Sequence, residues 1–237
     1  MRRLAALVAL LALAAAPGCL LVDITPGEQN VVPYRSERPP ASPLRRVVLP
    51  PLRMEDAESP QELALRNALV DQITSRGLFE VVPVTARDLE DIELDSARMK
   101  GVYSTADLLA LNRRFGADGV FTGTLLRFRA YPQMQIGMRL HLIDCRSGRV
   151  LWGTDLHLDA SDRRVADDAH NWYDLVYRDP TESLVEHEKV LVSPRLFSTY
   201  AAYRISATLA RSLRPESRAA EDPRPAAAVE TKGDKNS

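Results

Sequence analysis

The sequence predicts an α/β (α+β) domain in which helices pack on one mixed sheet of about five strands. Two observations predict this fold class. Strand-type and helix-type apolar patterns alternate in the first half of the body, and three strand-type patterns then follow one another directly. Alternation is typical of parallel strands joined by helices, whereas consecutive strands pair as antiparallel hairpins. The predicted order is β-α-β-α-β-β-β, followed by helices, of which the last is long.

The first strand and helix are indicated by a short apolar run and a capping pattern. Residues 46–50 form a short, mainly apolar run that ends at a proline, which is typical of a buried strand. Ser59 suits the N-cap of the next helix, Pro60 its first turn and Glu62 the reciprocal position of a capping box. Apolar residues then recur at every fourth position, at Leu65, Leu69 and Ile73. This spacing predicts a helix that buries one face.

The second strand and helix are indicated in the same way. Residues 78–82 form the next apolar run. Ser104 can cap the second helix together with Asp107, and Gly116 suits the left-handed position that ends it. The polar stretch 88–100 has no clear period, so its structure stays open.

Three strands are predicted next, over residues 119–129, 135–144 and 149–159. The middle one alternates strictly between apolar and polar side chains, which predicts one buried face and one wet face. Facing the apolar residues across the hairpin requires a loop of odd length, because a slip of one residue would turn every side chain over. Residues 146–148 supply three, so we expect Cys145 opposite Arg149. The pairs that follow are Leu142 with Trp152, Leu140 with Thr154, Met138 with Leu156, and Arg139 with Asp155.

The last third of the body contains two helical patterns. Val165, Ala169, Trp172 and Val176 form one apolar stripe, which predicts a short helix. Residues 179–192 are ambiguous. A long helix begins at residues 193–194, carries an apolar residue at every fourth position from Phe197 to Leu213, and stops at Pro215.

The N-terminus has the pattern of an export signal. A basic start precedes an unbroken apolar run over residues 4–16, which is shorter than the about 20 residues of a membrane-spanning helix. The sequence Ala-Pro-Gly-Cys then ends at Cys19 and resembles the lipobox of bacterial lipoproteins. The resemblance implies that residues 1–18 are removed and that Cys19 carries a diacylglyceryl group and an acyl chain; we expect no other cofactor. The alternative is an ordinary secretory signal with an incidental thiol at Cys19.

The remaining segments divide the chain. We predict a lipidated cysteine and proline-rich tether over residues 19–44, a single domain over 45–215, and a disordered tail over 216–237. The tether would reach at most roughly 80 Å as polyproline II. Leucine rather than aspartate follows Cys19. By resemblance to the sorting rule of Gram-negative lipoproteins, this favours the outer membrane, with the domain facing the periplasm.

The order of elements and turn residues over about residues 45–160 resembles a group of envelope proteins: the curli-secretion lipoprotein CsgG, the penicillin-binding-protein activator LpoB and the N-terminal domain of TolB. The matching segments are 47–50, 77–82, 116–125 and 138–152. The resemblance implies periplasmic binding or assembly and no chemistry. The chain has no spare alternating hairpins outside the core, so a pore like that of CsgG is not expected.

Composition and motifs exclude several other functions. A formal net charge of −1 argues against a nucleic-acid partner. No cysteine or histidine grouping has zinc spacing, and no nucleophile elbow or phosphate loop is present. His170, beside Asp167, Asp168 and Asp174, could bind a divalent ion weakly, although a solvated acidic helix is the favoured interpretation. Cys145 is interpreted as a structural thiol, with an intermolecular disulfide as the alternative.

Aromatic residues near the end of the body are the most suggestive feature. Trp172, Tyr173 and Tyr177, with Arg178 beside them, have the composition of a protein interface. The alternative, that the aromatic side chains only pack the last helix onto the sheet, has equal weight. We predict that residues 161–195 face a partner.

These observations favour a non-enzymatic lipoprotein that is held at the membrane by its anchor and binds or regulates another envelope protein. The alternative is an oligomeric component of an envelope assembly or secretion apparatus. A hydrolase of envelope polymers is a weaker interpretation, because no nucleophile or paired-carboxylate motif is evident.

Overall fold

The computed structural model describes residues 31–36, 40, 42–54, 60–177 and 187–213. Within them, six strands form one mixed sheet with helices packed against it, which confirms the predicted fold class. The strands are β1 Val31–Arg35, β2 Arg46–Leu49, β3 Glu80–Pro83, β4 Gly119–Arg129, β5 Gln135–Asp144 and β6 Val150–Asp159. The helices are α1 Pro60–Thr74, α2 Ala86–Glu90, α3 Asp95–Lys100, α4 Thr105–Phe115, α5 Arg163–Trp172, α6 Lys189–Val192 and α7 Pro194–Leu213, and a π-helical turn, Tyr173–Tyr177, continues α5.

The sheet has the order β1-β6-β5-β4-β2-β3. β2 runs parallel to β3 and β4, whereas β4, β5, β6 and β1 are successively antiparallel. β1 is one strand more than predicted, and it lies in the stretch 19–44 that we predicted to be a tether. The sheet therefore begins before residue 45. β1 was not recognised in the sequence because it is short and contains Pro33; strands tolerate proline mainly at sheet edges.

The pairing of β5 with β6 confirms the predicted register beyond the turn. The confirmed pairs are Leu142 with Trp152, Leu140 with Thr154, Met138 with Leu156, and Arg139 with Asp155. On the wet face, Arg139 Nε donates to Asp155 Oδ1 at 2.6 Å, and this hydrogen bond is the main reason that the pKa of Asp155 is lowered.

The turn between β5 and β6 differs from the prediction. Ile143 lies opposite Val150, and the Asp144 amide donates to the Arg149 carbonyl, so Cys145 is not the partner of Arg149. The turn therefore has four residues, 145–148. An even loop alone would place apolar side chains opposite polar ones, but a register shift between Leu142 and Ile143 adds one residue on β6 and restores the pairing.

The sheet separates two apolar cores. The larger lies between the sheet and helices α1, α5 and α7, and the smaller lies between α2, α4 and the strands β2 and β4. Ser104 and Asp107 form the predicted capping box of α4, and Gly116 ends it with φ 65°. Residues 88–100, left open by the sequence, contain part of α2 and all of α3. Among the described helices, none has both the length and the apolar character that a bilayer crossing requires.

Glu62 makes buried contacts that the sequence did not predict, and its predicted capping role stays a prediction. Its carboxylate is buried, accepts the Leu52 amide at 2.8 Å and lies 3.2 Å from Arg66 Nε. Ser59, the predicted N-cap, lies outside the described residues. Glu62 therefore fixes the chain after β2 against α1.

Candidate interaction site

The candidate site is built by α5, the π-helical turn, α6 and the first half of α7. The Asp162 side chain caps α5 by accepting the Arg164 amide at 2.8 Å. Val165, Ala169 and Trp172 are buried along one face, which confirms the first three positions of the predicted stripe.

The fourth position of the stripe is wrong, because the helix changes its pitch. Val176 is 48% exposed, whereas Tyr173 is 3% exposed. A π-helical turn closes its hydrogen bonds over five residues instead of four, so the inward positions shift along the chain. The shift brings Tyr173 into the core and turns Val176 outward.

Among the predicted partner-binding residues, Trp172 and Tyr173 are buried and Tyr177 is exposed. Trp172 is 2% exposed, and its ring centroid lies 5.1 Å from Tyr177, 5.6 Å from Tyr200 and 6.1 Å from Tyr203. The prediction that Trp172 and Tyr173 contact a partner is therefore corrected: both side chains pack in the core. Arg178 lies outside the described residues.

Four large apolar side chains on these elements are exposed. Three of them are consecutive in the π-helical turn, and we call Leu175, Val176 and Tyr177 the apolar patch; the fourth, Val192, ends α6. Tyr177 connects the patch to the core, because its ring lies against Trp172 while its hydroxyl accepts Arg195 Nη2 at 3.2 Å. The Tyr177 side chain is thus exposed, as a partner contact requires, and that contact stays a prediction.

A polar network joins α5 to α7. The Tyr200 hydroxyl donates to Asp168 Oδ2 at 2.5 Å and accepts Arg204 Nη1 at 2.8 Å, and Arg204 also pairs with Asp168. Burial is the main cause of the raised pKa of Tyr200. Sequence reasoning assigned Asp168 to a solvated acidic helix and missed this network. The signal that could have found it is Arg204, a cation four residues after Tyr200 on a helix with a long apolar stripe.

His170 lies near other groups than those predicted. Asp167 pairs with Arg163 at 3.8 Å, while His170 lies beside His187 and Glu188. His187 lies seventeen residues after His170 in the sequence, so no local helical spacing connects the two.

Cys145 is a buried thiol beside the hairpin turn. Burial, followed by the charges of Asp144 and Asp118, raises its pKa to about 12. The thiolate that forms disulfides is therefore scarce near neutral pH. Because the folded pKa is raised, this group favours the folded state fully below its ordinary value of 9.0, and that contribution is lost as the pH rises towards about 12.

We expect Cys145 to react with a maleimide about a hundredfold more slowly, or slower still, in the folded protein than in urea, since burial removes both access and thiolate. The Cys19→Ser variant makes Cys145 the sole thiol of the chain, and mass spectrometry follows the labelled fraction with time. Equal rates in the two states would contradict the structural role and favour the intermolecular disulfide.

Comparison with known proteins gives structural likeness only. No family model matches the chain, and no curated protein matches it. Similar solved structures include the PelC dodecamer of Paraburkholderia phytofirmans, with 13% identity over 72% of this chain and 98% of that one, at a TM-score of 0.39. Lipoprotein GNA1162 of Neisseria meningitidis has 17% identity over 48% and 79%, at a TM-score of 0.33. The LpoB C-terminal domain of Escherichia coli has 13% identity over 50% and 85%, also at 0.33. LpoB is one of the proteins that the sequence pattern resembles; the resemblance to CsgG and TolB stays a prediction.

Proposed function

We propose that this chain is a lipoprotein of the bacterial envelope, anchored at the outer membrane through Cys19, whose domain binds another envelope protein and performs no chemistry itself. Cys19 lies outside the described residues, and the support for its lipidation is the signal pattern before it. Each buried methylene is worth about 0.8 kcal/mol, and the two or three chains of a lipoprotein give a stable anchor where one chain gives a marginal one.

The position of β1 limits how far the domain can stand from the bilayer. Val31 begins β1 twelve residues after Cys19. At about 3.3–3.6 Å per extended residue, that connection spans at most about 40 Å, half the reach predicted for a tether that ends at residue 44. The domain therefore acts within a layer next to the membrane, and its partner must be present in that layer.

The apolar patch is the observation that carries the proposal. Three consecutive large apolar side chains are exposed because a π-helical turn directs them outward, and such turns occur frequently at functional sites. Tyrosine is enriched in protein interfaces, and the ring of Tyr177 packs against the buried ring of Trp172. We expect the patch to bind an apolar depression on the partner protein, with Arg195 at its polar rim.

The proposal predicts site-specific capture in cells. We expect a photoreactive amino acid at Leu175 or Val176 of the full-length protein to crosslink one envelope protein, identified by mass spectrometry. The matched control is Tyr131, which is 84% exposed but outside the patch. The Cys19→Ser variant should leave the membrane fraction and lose most of the capture at Leu175.

Each other outcome decides against a part of the proposal. Capture from Tyr131 but not from the patch would place the interface elsewhere. Crosslinks solely to a second copy of the chain would favour the oligomeric assembly instead of an adaptor. Retention of Cys19→Ser in the membrane fraction would contradict the anchor.

A further inference from the structure

Two histidines and a glutamate meet where α5 lies beside the start of α6. His170 comes from the last turns of α5, and His187 and Glu188 directly precede α6. One ligand atom from each of the three lies within 4.8 Å of the others. Glu188 Oε2 is 3.8 Å from His170 Nε2, and its Oε1 is 3.8 Å from His187 Nε2.

This donor set suits a divalent ion of the zinc class. Imidazole nitrogens with one carboxylate oxygen are a common ligand set for zinc, cobalt and nickel. Ligand atoms at 2.0–2.1 Å from a tetrahedral ion are about 3.3 Å apart. The two distances of 3.8 Å to Glu188 are slightly larger, and its side chain is largely exposed, so a small rotation shortens them. The two imidazole nitrogens, which lie within 4.8 Å of each other, must also approach when the ion binds.

A second observation points to a missing ligand at His170. Its Nε2 atom is buried and has no hydrogen-bond partner among the described residues. Buried polar nitrogens are nearly always satisfied, and a bound ion is one of the ways in which an exception is explained. The same nitrogen is the one directed towards Glu188.

Asp174 lies on the far side of His187 from Glu188. Its Oδ2 is 3.9 Å from His187 Nδ1, while Nε2 of the same ring faces Glu188. This distance is beyond hydrogen-bond range, so Asp174 contributes negative charge beside the three ligand atoms, and that charge favours a bound cation.

We propose that His170, His187 and Glu188 bind one divalent ion of the zinc class, with the negative charge of Asp174 beside them. The ion joins the end of α5 to the residues that directly precede α6. The apolar patch lies on the π-helical turn that continues α5. The inference does not depend on which protein binds the patch.

Titration of the full-length protein in detergent, purified with a tag that contains no histidine, tests the site. We expect Co²⁺ to produce a saturable ligand-field absorption at one equivalent, which Zn²⁺ then displaces. His170→Ala or His187→Ala should weaken binding about tenfold or more, and Asp174→Asn should weaken it less than either. The matched control, His157→Ala, changes an exposed histidine of β6 and should leave the affinity unchanged.

Glu188→Gln is the variant least expected to disturb folding, because this side chain is 70% exposed. Its replacement removes a charged ligand and leaves the core packing unchanged. Circular dichroism of each variant confirms that the fold is kept. No absorption with Co²⁺, or an affinity that His170→Ala, His187→Ala and Glu188→Gln leave unchanged, would overturn the site. An equal loss in His157→Ala would do the same, since binding would then be general to surface histidines.

Discussion

Replacement of Trp172 by alanine is expected to lower the free energy of unfolding by about 3–5 kcal/mol. The indole is 2% exposed and packs against Tyr177, Tyr200 and Tyr203, so its removal leaves a cavity between α5 and α7. Urea denaturation of the full-length protein, followed by circular dichroism, gives the change as a shift of the midpoint at constant slope.

Tyr177→Ala is the matched control for Trp172→Ala. Its side chain is half-buried and belongs to the exposed patch, so we expect a smaller loss of stability, about 1 kcal/mol, but a loss of partner capture. The opposite result, a stable Trp172→Ala protein that no longer captures its partner, would return Trp172 to the interface and contradict its place in the core.

Glu62→Gln is expected to cost about 3–5 kcal/mol, the range for breaking a buried ion pair by removing one partner. Glu62 is 1% exposed and lies 3.2 Å from Arg66 Nε, and Arg66 is 6% exposed while its Nη1 donates to the Val84 carbonyl. Glutamine keeps the volume but leaves the guanidinium buried without its counter-charge. Chemical denaturation measures the loss.

Two variants test this explanation of Glu62. Glu62→Gln combined with Arg66→Met should recover part of the stability, because the uncompensated cation is gone. Glu80→Gln breaks the exposed pair of Glu80 with Arg46, where both side chains are about half exposed, and should cost at most about 1 kcal/mol. Equal losses in Glu62→Gln and Glu80→Gln would show that burial does not strengthen the inner pair.

The parts of the fold that the sequence predicted are those in which side chains carry the pattern. Alternation along β5 determined which residues of β6 face it, and Arg139 lies opposite Asp155 as expected. The turn itself was predicted wrongly, because a longer loop and a bulge compensate each other and leave the parity of the strands unchanged. β1 was not predicted because an edge strand is held mainly by backbone hydrogen bonds, and these leave no periodic pattern of side chains in the sequence.

The candidate site was predictable up to the point where the helix changes pitch. The stripe from Val165 to Trp172 follows the α-helical period, and Val176 departs from it only because the next turn is π-helical. The meeting of His170 with His187 could not be predicted, since it depends on how α5 and α6 pack across a long separation in sequence.

Both outermost strands of the sheet contain a proline, Pro33 in β1 and Pro83 in β3. Proline has no N–H, so an added strand would meet a gap in the row of donors on either side. We therefore expect that copies of this protein do not polymerise by pairing the edge strand of one sheet with that of another, even at high density on the bilayer. Any assembly they enter must be specified by side-chain surfaces, which evolution can change one residue at a time.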